Sequence, residues 1–226
     1  PPLEFDIVVP PTYVEGYPMH VLMYASTDTG YDRMLISESK DAAQAITDIT
    51  HGELGPWITK NFKARDYERD GRFRFQILQL TPDGKNFKLY QSAINMAEPY
   101  SVPSSLSKEV EAVAGTYMEV DDPWAFMDGW MAPELYLDQL QMHANWWGNA
   151  TKYVLEHQQW DMAFSWVGTI DHIEHVLYAG IEPKARVYDP DKADFCWHMI
   201  RETYRQVDEN IGRILDAVDL DNTYVI

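Results

Sequence analysis

Along the first part of the chain, hydrophobic and polar residues alternate with the two-residue period of strands that bury one face. The clearest stretch is RFRFQILQL, in which Phe73, Phe75 and Ile77 alternate with Arg72, Arg74 and Gln76. The turn-rich TPDGKN and then FKLYQSAI follow it, which predicts a β-hairpin. HVLMYAS from His20 and RMLISES from Arg33 predict two more strands on either side of the turn-forming TDTGYD, and PWITKNF adds another. Residues 17–98 are therefore expected to form an antiparallel, β-rich module. The short apolar run FDIVVPP, within residues 1–16, has no partner before it and is assigned to a separate α/β core.

The period changes after residues 99–132, a connection rich in Pro, Ser, Asp and Gly with room for one short helix. Pro133 suits a first helical turn, and Leu137, Leu140, Ala144, Trp147 and Val154 recur at three- and four-residue spacing, which predicts a long helix. DMAFSWVGTI then reads as a short parallel strand covered on both faces. Tyr204, Val207, Ile211, Ile214 and Val218 predict a second amphipathic helix, and NTYVI the opening of a further strand. Helix, strand, loop, helix and strand together predict an α/β core over residues 133–226. A strand opening at the final residues is expected to belong to a sheet that continues beyond this sequence.

Charge narrows the function. Thirty-six acidic residues against eighteen Lys and Arg leave a net charge of −18, a field that repels the backbone of a nucleic-acid polymer. The single cysteine, Cys196, excludes an internal disulfide and a cysteine-rich zinc module. No apolar stretch approaches the roughly 20 residues of a membrane span. The first residues carry no basic-then-apolar signal pattern, so the compartment is open, and NAT at Asn149 has meaning as a glycosylation acceptor only in a secreted chain.

The polar cluster in FSWVGTIDHIEHVLYAG is the main candidate for chemistry. Asp171 and His175 stand four residues apart, a spacing that lets both side chains reach one cation on a helical turn. Roughly one such acid-x-x-x-His pair is expected by chance in this composition, and a second one, Asp194 and His198, lies in DFCWH. Context separates them: Asp171 follows an apolar strand, and loops beyond strand ends are where ligands gather in open α/β sheets. The alternative for both pairs is an exposed polar face. His172 and Glu174 read either as partners that orient a ligand or as a solvated loop face. HIEH lacks the spacing of a zinc-peptidase motif, and neither a phosphate loop nor a Gly-x-Ser-x-Gly elbow is present. The Trp-rich DPWAFMDGWMAP and NWWGN read as core more readily than as a stacking surface.

An apolar run ending in Asp-x-x-x-His, then EP and YDP, then YRQVDENIGRIL and DNTYVI, resembles the central part of the type I phosphodiesterase/nucleotide pyrophosphatase family of the alkaline phosphatase superfamily. DRMLISESKD, GELGPWITKNF and RFRFQILQLTPDGKNFKLYQSAI resemble the β-rich insertion many members carry. The resemblance implies part of an alkaline-phosphatase-like α/β sheet with an inserted antiparallel β module. It implies two divalent metal ions, zinc first with Mn or Fe as alternatives, and a small phosphate-ester or nucleotide substrate. Asp171 and His175 match two ligands of one ion. The family's Thr or Ser nucleophile, its first metal-binding aspartate and its later Asp-His pair and histidine have no counterpart here. The chain is therefore expected to be part of the enzyme and inactive alone. A sulfatase or phosphomutase of the same superfamily, and a non-catalytic binding or assembly module, are the alternatives.

Overall fold

The computed structural model describes residues 1–9, 16–63, 68–97, 99–118 and 121–226. The chain divides into two compact units, Pro1–Ala97 and Glu98–Ile226. Helices and antiparallel strands both contribute, but they are segregated: the described strands lie in the first unit and the α-helices in the second.

In the first unit β1 (Leu3–Val9), β2 (Tyr17–Tyr24), β3 (Arg33–Ser37) and β4 (Ala45–Thr50) form an antiparallel sheet in that order. Alternation sets its inner face: Met19, Val21 and Met23 of β2 and Met34 and Ile36 of β3 are almost fully buried, while their neighbours stay more open except Ser37 at the end of β3. The strands at His20 and Arg33 are thus where the sequence pattern puts them. Gly30, in the turn between them, has φ +110°, and a Cβ there would strike Pro82, so only glycine fits.

The expected hairpin is also present. β7 (Phe75–Leu80) pairs with β8 (Phe87–Gln91), and the turn between them is closed by Thr81 N–H donating to the Asn86 carbonyl at 2.9 Å. PWITKNF supplies β5 (Ile58–Lys63), which pairs with β6 (Glu68–Phe73), and β6 in turn with β9 (Asn95–Met96). RFRFQILQL is therefore two strands in separate sheets. The break falls at Arg74, whose backbone N–H is taken by Ser92 Oγ at 3.1 Å and whose guanidinium lies 4.2 Å over the Trp57 ring.

One assignment is corrected here. The run at the N-terminus does not stand with an α/β core: β1 pairs with β2 from Leu3 opposite Met23 to Val9 opposite Tyr17, and Val9 joins the β-rich core. Its partner follows it in sequence, a pairing that a search for a preceding strand overlooks. Residues 10–15 of the expected segment 1–16 lie outside the described residues, as do 64–67 and 98 of the expected module and 119–120 of the connection.

The second unit is helical. The connection holds α1 (Ser105–Ala114) and α2 (Pro123–Met127), where a single short helix was expected. α3 (Pro133–His157) begins with Pro133 in its first turn, as predicted, and packs along α5 (Pro190–Leu215). α4 (Thr169–Ile181) packs on α5 as well. In both long helices the buried face overlaps the one the apolar spacing suggests, with Leu140, Ala144 and Val207 buried as expected, but it extends sideways onto polar positions. α3 buries Tyr136, Leu140, His143 and Ala144, and α5 buries Met199, Thr203, Gln206, Val207 and Asn210 while Tyr204 and Ile211 are exposed.

The two predicted strands of this unit are absent. Among the described residues from 99 to 226 there is no strand. DMAFSWVGTI forms no strand, with Met162, Phe164 and Trp166 exposed, and its last residues enter α4; Tyr224, Val225 and Ile226 are exposed too. The reason is physical: a parallel strand is stable only with neighbours on its edges and layers on its faces, and these runs have neither here.

Candidate functional site

α4 carries the residues of interest on two sides. Asp171 sits in its first turn, where a carboxylate also complements the helix dipole, rather than in a loop beyond a strand. Asp171 and His175 point outward, their side chains 65% and 78% exposed, with Asp171 Oδ1 3.4 Å from His175 Nε2. Two donors about 2.0 Å from one tetrahedral cation stand roughly 3.3 Å apart, and the 3.4 Å between this pair is close to that spacing. An ordinary one-turn ion pair has the same spacing. Asp194 and His198 are likewise exposed, on α5, so both acid-His pairs share a helical surface setting.

The inner side of α4 holds a more enclosed group. His172 Nδ1 lies 2.5 Å from Asp121 Oδ1, and the Tyr136 hydroxyl donates to Asp121 Oδ2 at 2.6 Å. Asp121 precedes α2 and is held in place by its surroundings. The next residue, Asp122, takes Gln139 Oε1 on its backbone N–H at 3.0 Å and caps α2 by accepting from the Ala125 N–H. Tyr136 stacks on Phe126 with ring centroids 4.8 Å apart. His143, 2% exposed, completes the group from α3: donor atoms of Asp121, His143 and His172 all lie within 4.8 Å of one another.

Electrostatics follow from this enclosure. Burial opposes ionisation of Asp121, yet the hydrogen bonds from His172 and Tyr136 and the imidazole's charge outweigh it and hold the carboxyl below its usual range. The bond to Asp121 raises His172, against its partial burial. Burial pushes His143 down, which favours its neutral form. Tyr136 is driven far up by burial and by the adjacent carboxylate and stays a hydroxyl donor. His143 Nε2 accepts from the Trp147 indole N–H at 2.9 Å, whereas its buried Nδ1 has no partner.

The structure thus brings Asp171 and His175 together on the surface and separates both from the functions first considered for their neighbours. His172 is neither a solvated loop residue nor a partner of the outer pair; it bonds Asp121. Glu174 accepts from the Tyr204 hydroxyl at 2.8 Å. Asp121 and His143 escaped the sequence reading. The available signal was His143 itself, a polar residue at helical spacing from Tyr136 and Leu140 on what becomes a buried face. Of the tryptophans, Trp146 is core, while Trp124 and Trp130 are exposed.

Comparisons of the chain with protein-family models, with curated proteins and with solved structures found no match.

Proposed function

We propose that this chain belongs to a metal-dependent phosphohydrolase, a phosphodiesterase or nucleotide pyrophosphatase of the alkaline phosphatase superfamily, in which Asp171 and His175 are two ligands of one divalent cation. The observation that carries the reading is the outer side of α4: a carboxylate and an imidazole one turn apart, open to solvent, with donor atoms 3.4 Å apart. Their sequence setting, with YRQVDENIGRIL downstream, supports the family. In this reading the antiparallel β unit Pro1–Ala97 corresponds to the family's inserted β module.

The substrate in this reading is a small phosphate ester or nucleotide, with two divalent ions, zinc first, as cofactors. When bound, the ions supply charge neutralisation at the phosphoryl oxygens and a lowered pKa for the attacking group. This chain's own share is to hold a carboxyl and an imidazole donor one turn apart on α4. The attacking Thr or Ser is not assigned among these residues.

The test is hydrolysis of a nitrophenyl phosphodiester by the natural protein. Asp171→Ala and His175→Ala are each expected to lower kcat/KM by on the order of 100-fold or more, about 3 kcal/mol of transition-state stabilisation. Unchanged rates in both variants contradict the assignment.

A further inference from the structure

We propose that Asp121, His143 and His172 form an interior site for one divalent transition-metal ion, separate from the outer pair Asp171 and His175 and independent of the function read from that pair. The three donors come from three segments, the lead-in to α2, α3 and α4, and converge within 4.8 Å. Asp121 and His143 are almost completely buried, and His172 half-buried. Two imidazoles and one carboxylate suit zinc, cobalt or ferrous iron and disfavour calcium and magnesium, which seek oxygen donors.

The second observation is the state of His143. Its Nε2 is taken by the Trp147 indole, so in the neutral ring the proton sits on Nδ1, and that Nδ1 is buried without an acceptor. Buried polar atoms are nearly always partnered, and one that is not calls for an explanation. A cation among these residues supplies it. Ligation through Nδ1 requires the ring's single proton to move to Nε2, which then becomes a donor, and ligation through Nε2 displaces the indole; on either path Trp147 loses its acceptor.

The neighbours suit a binding pocket of this kind. The Tyr136 hydroxyl bonds the second oxygen of Asp121 and fixes the carboxylate's orientation, the supporting role that partners of metal ligands commonly play. The Asp121–His172 edge, at 2.5 Å, is shorter than the roughly 3.3 Å between two donors on a tetrahedral ion. Binding therefore replaces the proton shared on that edge and opens it by small side-chain rotations. The ion releases protons as it enters, and affinity rises with pH.

The experiment titrates zinc into chelator-treated protein and records X-ray absorption at the zinc edge with one equivalent bound. Expected are one ion with two imidazoles and at least one carboxylate, a shift of the Trp147 indole N–H resonance, and binding weakened by about 100-fold or more in His143→Gln and His172→Gln. Asp171→Ala/His175→Ala is expected to keep this ion. An absorption spectrum with fewer than two imidazoles overturns the proposal, as does zinc binding unaffected by His172→Gln or lost only in the Asp171/His175 variant. The wild-type spectrum decides the matter even if His143→Gln fails to fold. Failure of the interior site leaves the phosphodiesterase assay of the outer pair untouched.

Discussion

At the scale of residues, the Asp121–His172 contact is the most consequential polar pair in the helical unit, because one partner is buried and both are ionisable. His172 is raised above its ordinary value of 6.5, so its contribution to stability is complete below about pH 6.5 and is lost as pH rises through the raised value. Asp121 is lowered from 3.8, so its contribution is present above about pH 3.8 and is lost as pH falls through the lowered value. In chelator-treated protein, Asp121→Asn is expected to cost about 1–3 kcal/mol. The difference from wild type in urea unfolding is greatest between those limits and shrinks toward alkaline pH. A cost that is flat or grows with pH above 7 contradicts the charged pairing.

At the scale of elements, α3 and α5 pack closely where Gly148 faces Asn210. Gly148 has no side chain, and a Cβ there would come within 2.2 Å of Asn210 Oδ1 and 3.1 Å of its Cβ. Asn210 is fully buried, donates to the Gln206 carbonyl at 2.8 Å and accepts from Arg213 at 3.1 Å, so it is anchored on both sides. Gly148→Ala gains about 1 kcal/mol of helix propensity and loses more to overpacking, for a net destabilisation of about 1–2 kcal/mol. Thermal unfolding measures it, and a stabilised variant shows that the helices pack less closely. This crossing also explains why the periodicity of apolar residues found only part of the buried faces, Leu140, Ala144 and Val207 but not their polar neighbours. Thr203, Gln206 and Asn210 are buried because they bond to backbone or to one another's neighbours, and a hydrophobic pattern alone assigns such residues to solvent. The strands of the first unit were legible because alternation there reports burial directly, residue by residue, as Met19, Val21 and Met23 show. DMAFSWVGTI was misread because an apolar run states only that cover is favourable, and among the described residues no strand beside it provides an edge.

At the scale of the molecule, two units of different construction share one chain, and the polar chemistry concentrates in the helical one. Asp171 and His175 were legible in the sequence because their spacing is local. The interior group was not, since Asp121 and His172 stand 51 residues apart and only the fold joins them. A net charge of −18 is compatible with a phosphorylated substrate only where cations reverse the local potential, which makes metal binding on α4 the claim on which the functional account depends. The most direct measurement is an anomalous difference map at the zinc edge from crystals of the natural protein grown with zinc. The account predicts density about 2.0–2.2 Å from both the Asp171 carboxylate and the His175 imidazole. A map with zinc elsewhere and none between those two side chains contradicts it.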